Sequence, residues 1–123
     1  MAQLLELNTF SSESGNLTVF EKIIPGTIKR VFYVHENAGE IGIGYRHHKA
    51  WSAFMCLNGS CRIYVNTGAG EELYVLDEPQ KCLILEPGDW RRIDRIGEGA
   101  VLLQLSNEVY DPADYIYEKY QHA

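Results

Sequence analysis

The chain has 123 residues, 17 acidic and 11 basic side chains, and a formal charge of −6, which suits one domain with an adequate core. That charge argues against general binding to nucleic acid or to an anionic membrane. No apolar run approaches the length of a membrane span and no charged-then-apolar leader opens the chain, so a single cytoplasmic domain over residues 1–123 is expected.

Short strand-like segments recur between turn residues. Residues 17–21 form one, and residues 28–34, rich in β-branched and aromatic side chains, form the clearest. Residues 51–57 and 61–66 flank Asn58-Gly59-Ser60, a strong hairpin signal. Gly68-Ala69-Gly70 marks a further turn before residues 71–76. Residues 81–85 run into Pro87-Gly88, and residues 101–105 give the last strong strand. Such spacing predicts an all-β sandwich or barrel. Only residues 112–120 read as helical, with Asp111 as cap and Pro112 in the first position. Cys56, Cys61 and Cys82 are odd in number, lack CxxC spacing and sit in apolar stretches, so buried free thiols are expected.

Two clusters carry candidate chemistry: Gly44-Tyr45-Arg46-His47-His48-Lys49, and Pro87-Gly88-Asp89-Trp90-Arg91 some forty residues later. A barrel can hold a metal through His-x-His, a nearby Glu and a distant His. Here the pair reads Arg46-x-His48, no acidic residue lies between Lys49 and Asn58, and the distant position is Arg91. Arginine stays protonated and cannot ligate a dication, so no metal is expected. On a strand, residues two apart share a face. The reading adopted places Gly44, Arg46 and His48 inside, with Tyr45, His47 and Lys49 outside. An interior histidine between arginines is held neutral by desolvation and like-charge repulsion, which suits a general base; a hydrogen-bonded barrel histidine without chemistry is the plainer alternative. One of Lys29 and Arg30 must point inward. Tyr33 could supply a phenolic proton or simply pack in the core. Arg91, Arg92 and Arg95 could be solvated, or could meet an anion, since guanidinium forks match phosphate oxygens.

Over nearly its whole length the chain resembles the cupin-type nucleotide-sugar 3,4-ketoisomerases, the WxcM-like proteins. Ile28-Lys29-Arg30-Val31-Phe32-Tyr33-Val34, Cys56-Leu57-Asn58-Gly59-Ser60-Cys61, Leu76-Asp77-Glu78-Pro79, Pro87-x-x-Trp90 and Asp114-Tyr115-Ile116 carry the likeness, as does Ser14-Gly15-Asn16-Leu17 with Glu21. The resemblance implies a cupin-type jelly-roll barrel, here with a short C-terminal helix. It also implies a homodimer, commonly with an exchanged N-terminal strand. The implied substrate is a nucleotide-linked keto sugar such as dTDP-4-keto-6-deoxyglucose, whose carbonyl moves from C4 to C3 through an enediol without metal or other cofactor. The expected catalytic residues are His48 and Tyr33; Arg30, Arg46 and Arg91 are expected to bind substrate. Where the family has its first His of His-x-His, this chain has Arg46; Ile43, Ser14, Arg91 and Tyr117 also depart from the pattern. These departures gather in the pocket. They leave two alternatives, a catalytically silent nucleotide-sugar-binding cupin and a related isomerase with a different sugar nucleotide.

Overall fold

Alternation along each strand decides what the protein buries. The structure, a computed structural model, describes residues 2–35 and 42–121. Its strands are β1 (Gln3–Glu6), β2 (Asn8–Ser12), β3 (Gly15–Val19), β4 (Arg30–Val34), β5 (Arg46–His47), β6 (Ser52–Asn58), β7 (Cys61–Asn66), β8 (Glu71–Leu76), β9 (Lys81–Leu85), β10 (Trp90–Ile96), β11 (Val101–Ser106) and β12 (Tyr115–Ile116). One antiparallel sheet runs β1-β9-β6-β11-β4 and a second runs β10-β7-β8. The ribbons β12-β5 and β2-β3 complete the set. This is the jelly-roll barrel of the cupin type.

Phe54 and Cys56 of β6, Leu83 and Leu85 of β9, and Leu102 of β11 face inward and meet Ile63, Val65, Leu76 and Ile96 in the main core. The intervening Ala53, Met55, Cys82, Ile84 and Leu105 turn outward, where Leu7 and Ile24 of the N-terminal segment cover them. Cys56, Cys61 and Cys82 are free and buried, as expected. Burial pushes the Cys61 and Cys82 thiols up to about 12, which leaves them protonated.

Three local expectations need correction. The C-terminal helix is a single 3-10 turn over Pro112–Asp114. Asp111 caps it as anticipated, accepting from the Ala113 amide. The chain then turns extended because Tyr115 and Ile116 pair with His47 and Arg46. The Asn58-Gly59 turn does not close a hairpin: β6 and β7 lie in different sheets, and the turn carries the chain across the barrel corner. It docks on the returning 97–100 turn, with the Asn58 side chain donating to the Gly99 carbonyl and the Gly97 amide donating to that of Ser60. A strand also runs over Trp90–Ile96, where the sequence reading had only a basic cluster.

Some apolar surface stays open. Phe10 and Leu17 face each other across β2 and β3 and are 62% and 64% exposed. Val31 and Tyr33, on the outer face of edge strand β4, are also exposed. Among the described residues no helix is long and apolar enough to cross a membrane.

Candidate active site

The barrel interior changes character along its strands. On β11 the inward residues run Leu102, Gln104, Ser106; on β6, Ser52, Phe54, Cys56; on β4, Arg30, Phe32, Val34. The register sets Ser106 beside both Arg30 and Ser52. One end of the large sheet therefore carries an inward row Arg30–Ser106–Ser52, while the other end is apolar. Arg91 of β10 reaches into the same end from the opposite sheet. Its Nη1 donates to Ser52 Oγ at 3.3 Å and its Nε donates to the Asp89 carbonyl at 3.3 Å. Nη2 is buried and has no hydrogen-bond partner among the described residues. The side chain is only 2% exposed, and burial pushes its pKa down from the usual arginine value.

His47 is the histidine of this site. It is 7% exposed, and its Nδ1 lies 2.9 Å from Asp114 Oδ2. The rings of Tyr45 and Tyr115 lie 5.3 and 4.7 Å from it. Its pKa falls to about 4, first through burial and then through the Arg91 charge, with Asp114 opposing. The imidazole is thus neutral near pH 7. Arg30 Nη1 donates to the Tyr115 hydroxyl at 3.0 Å, and its guanidinium also lies over Phe32 and Tyr110.

The expected phase of the 44–48 segment is reversed. Alternation holds, but Tyr45 and His47 face the pocket. Arg46 points away and lies 4.1 Å over the Tyr120 ring. His48 falls in a bend after β5 and is exposed, its amide donating to the Asp114 carbonyl. The fixing contacts come from elsewhere. Tyr45 and Arg91 exchange both backbone hydrogen bonds, and β12 pairs with β5 from the far end of the sequence. Gly44 permits this approach, since a Cβ there would sit 2.0 Å from Trp90 Cζ2. The Trp90 indole is itself anchored, donating to the Tyr117 carbonyl.

Tyr33 lies 59% exposed on the outer face of β4, away from His47. Arg30 and Arg91 do converge on the pocket. His47, Tyr45, Ser52, Ser106, Asp114 and Tyr115 were not anticipated as site residues. Asp114 and Tyr115 were visible only as part of a C-terminal signature, and a serine inside a strand gives no signal until register aligns it with its neighbours.

Comparison with known proteins agrees with this architecture. The family described as WxcM-like, C-terminal, matches residues 1–123. The chain is 35% identical over 105 residues to the TDP-4-oxo-6-deoxy-alpha-D-glucose-3,4-oxoisomerase of Aneurinibacillus thermoaerophilus, covering 83% of this chain and 76% of that one. The WlaRB TDP-quinovose 3,4-ketoisomerase of Campylobacter jejuni superposes with a TM-score of 0.90 at 29% identity, over 95% of this chain and 92% of that chain. A histidine-to-asparagine mutant of the 3,4-ketoisomerase QdtA from Thermoanaerobacterium thermosaccharolyticum, in complex with TDP-4-keto-6-deoxyglucose, superposes with a TM-score of 0.88 at 34% identity, over 95% and 87% of the two chains.

Proposed function

This chain belongs to the WxcM-like family and is a sugar 3,4-ketoisomerase, and we propose that it acts on a TDP-linked 4-keto-6-deoxy sugar with His47 as the base. The observation that carries the reading is a neutral, buried His47 beside a buried Arg91 whose Nη2 has no hydrogen-bond partner among the described residues.

The chemistry follows from the keto group, which acidifies the neighbouring C–H. A free ring nitrogen of His47 takes the proton from C3. The C3–C4 bond becomes double and negative charge gathers on the C4 oxygen, where the unpartnered Arg91 N–H group can receive it. The C3 hydroxyl proton then passes to the C4 oxygen and the C4 carbon takes a proton, which leaves a C3 carbonyl and a C4 hydroxyl in the 3-keto sugar. The proton donor to C4 moves from the expected Tyr33 to Tyr115, whose hydroxyl accepts from Arg30 and keeps its own proton for donation. We assign Arg30, half-buried at the end of the row, to the diphosphate, because a guanidinium fork suits phosphate oxygens. Arg46, stacked on Tyr120, leaves that role. No step needs a metal, and Arg91 and Arg30 make the surroundings of His47 unfavourable for a dication.

The test is proton NMR of TDP-4-keto-6-deoxyglucose with the protein in deuterium oxide, with and without chelator. Loss of the C3 proton with growth of a 3-keto product is the expected result, and the same rate with chelator supports the metal-free route. Tyr115→Phe should exchange the C3 proton while slowing product formation. An unchanged spectrum with this sugar, alongside tight TDP binding, would favour the silent binder or another sugar nucleotide.

The exposed Phe10–Leu17 pair and the open β4 face bear on assembly. A two-stranded hairpin alone is marginal in water, and apolar patches of this kind favour a partner surface. A second copy of this chain is the occupant expected from the family. Sedimentation should give a dimer, and Phe10→Ser with Leu17→Ser should shift it toward monomer; a monomeric wild-type chain at micromolar concentration would contradict this.

A further inference from the structure

The C-terminal 3-10 turn ends at a side chain that the reaction as described does not use. Asp114 is 5% exposed and lies 67 residues from His47 in sequence, yet it is tied to the 47–49 segment three times. Its Oδ2 meets His47 Nδ1 at 2.9 Å, its Oδ1 accepts from the Lys49 amide at 2.9 Å, and its carbonyl accepts from the His48 amide at 3.0 Å. Its own amide donates to the Asp111 carbonyl, so the capped turn sets where the carboxylate stands. The other ring nitrogen, Nε2, has no hydrogen-bond partner among the described residues.

From this geometry we infer that Asp114 is the positioning residue of the site, holding the His47 proton on Nδ1 and leaving the Nε2 lone pair free for the substrate. The inference rests on the reading of His47 as base. A neutral imidazole carries one proton, and the partner of one nitrogen decides the state of the other. A carboxylate can only accept, and Oδ1 is already committed to the Lys49 amide, so Nδ1 must be the donor. The other groups facing the ring are the guanidinium groups of Arg91 and Arg30 and the phenols of Tyr45 and Tyr115. No second carboxylate is hydrogen-bonded to the ring among the described residues. Asp114 also braces the bend that turns His48 away, so one residue sets both the tautomer and the direction of the imidazole.

Asp114→Asn separates these roles from simple support. The amide oxygen can keep the Lys49 bond, while the amide N–H groups face Nδ1 and donate to it. The proton should then move to Nε2. Nitrogen-15 NMR of labelled protein should show the Nδ1–H form in the wild type and the Nε2–H form in the variant. The kcat should fall about 10²–10⁴-fold, with KM for TDP-4-keto-6-deoxyglucose changed only about threefold or less. Asp114→Glu, which keeps an acceptor-only group, should retain the Nδ1–H form and recover part of kcat. It also serves if the asparagine variant does not fold. A wild-type His47 protonated at Nε2, or Glu and Asn variants with the same tautomer, overturns the inference. A switched tautomer with undiminished kcat would uphold the role of Asp114 and overturn His47 as base.

Discussion

Replacing His47 by asparagine should lower kcat by about 10²–10⁴-fold, the range for loss of a positioned general base. TDP binding and the circular dichroism spectrum should be retained. His48→Asn should stay within about twofold of wild type, since that side chain is exposed and outside the pocket. The opposite ranking would return the base to His48. The pH dependence is a second check. His47 has a folded pKa of about 4 against 6.5 for an unperturbed histidine, lowered by burial and then by Arg91. The group is therefore neutral in the folded chain down to about 4, and the acid limb of kcat/KM that belongs to it should lie near that value. An acid limb near the unperturbed histidine value would contradict the buried, neutral imidazole. The sign for stability follows from linkage. Between 6.5 and about 4 the unfolded chain binds a proton that the folded chain does not. Stability therefore falls as pH drops through that window and is insensitive to this group above it. In His47→Asn, this part of the decline in melting temperature should disappear.

Arg91→Met should separate activity from stability. In the wild type the guanidinium is almost wholly buried, yet its two hydrogen bonds are long, both at 3.3 Å, and Nη2 has none among the described residues. The Tyr45 and Phe54 rings and nearby Asp89 and Tyr115 offset part of the cost of burying this charge, but burial outweighs them and pushes the Arg91 pKa down. A methionine of similar volume removes that cost. The melting temperature should stay level or rise, while kcat falls about 10²–10³-fold through loss of the donor at the developing oxyanion. Arg91→Lys should not restore full activity, because an ammonium cannot reproduce the fork that spans Ser52 Oγ and the vacant Nη2 direction. A large rise in the Kd for TDP with kcat preserved would instead place Arg91 on the diphosphate. Unfolding of Arg91→Met would make it a structural residue.

The strand-and-turn rhythm of the chain, its buried free cysteines and the inward placement of Arg30 and Arg91 were legible in the sequence, whereas the outward turn of Arg46 was not. Residues 61–66, 71–76 and 81–85 appear as the strands expected. Period-two patterns and turn residues act over a few neighbours, and the sequence displays those neighbours directly. The family likeness likewise rests on motifs that survive intact, such as Cys56 to Cys61. Which face a two-residue strand turns inward is a different kind of question. Alternation gives the relation between Arg46 and His47 but not the phase. The phase is set by Arg91 bridging to Tyr45 and by Tyr115 pairing with His47, contacts across tens of residues. The tail shows the same limit. Asp111-Pro112 starts a helical turn locally, and pairing with β5 then pulls Tyr115 and Ile116 into an extended ribbon. At Asn58-Gly59 the local turn forms as expected, but its docking on residues 97–100 decides that it links two sheets. Short-range pattern in the sequence determined an all-β sandwich or barrel with basic side chains inside it, and the family resemblance narrowed that to the cupin-type barrel. Only the tertiary structure decided which histidine is enclosed and that Asp114 stands behind it, because register and strand phase are set by pairing between distant segments.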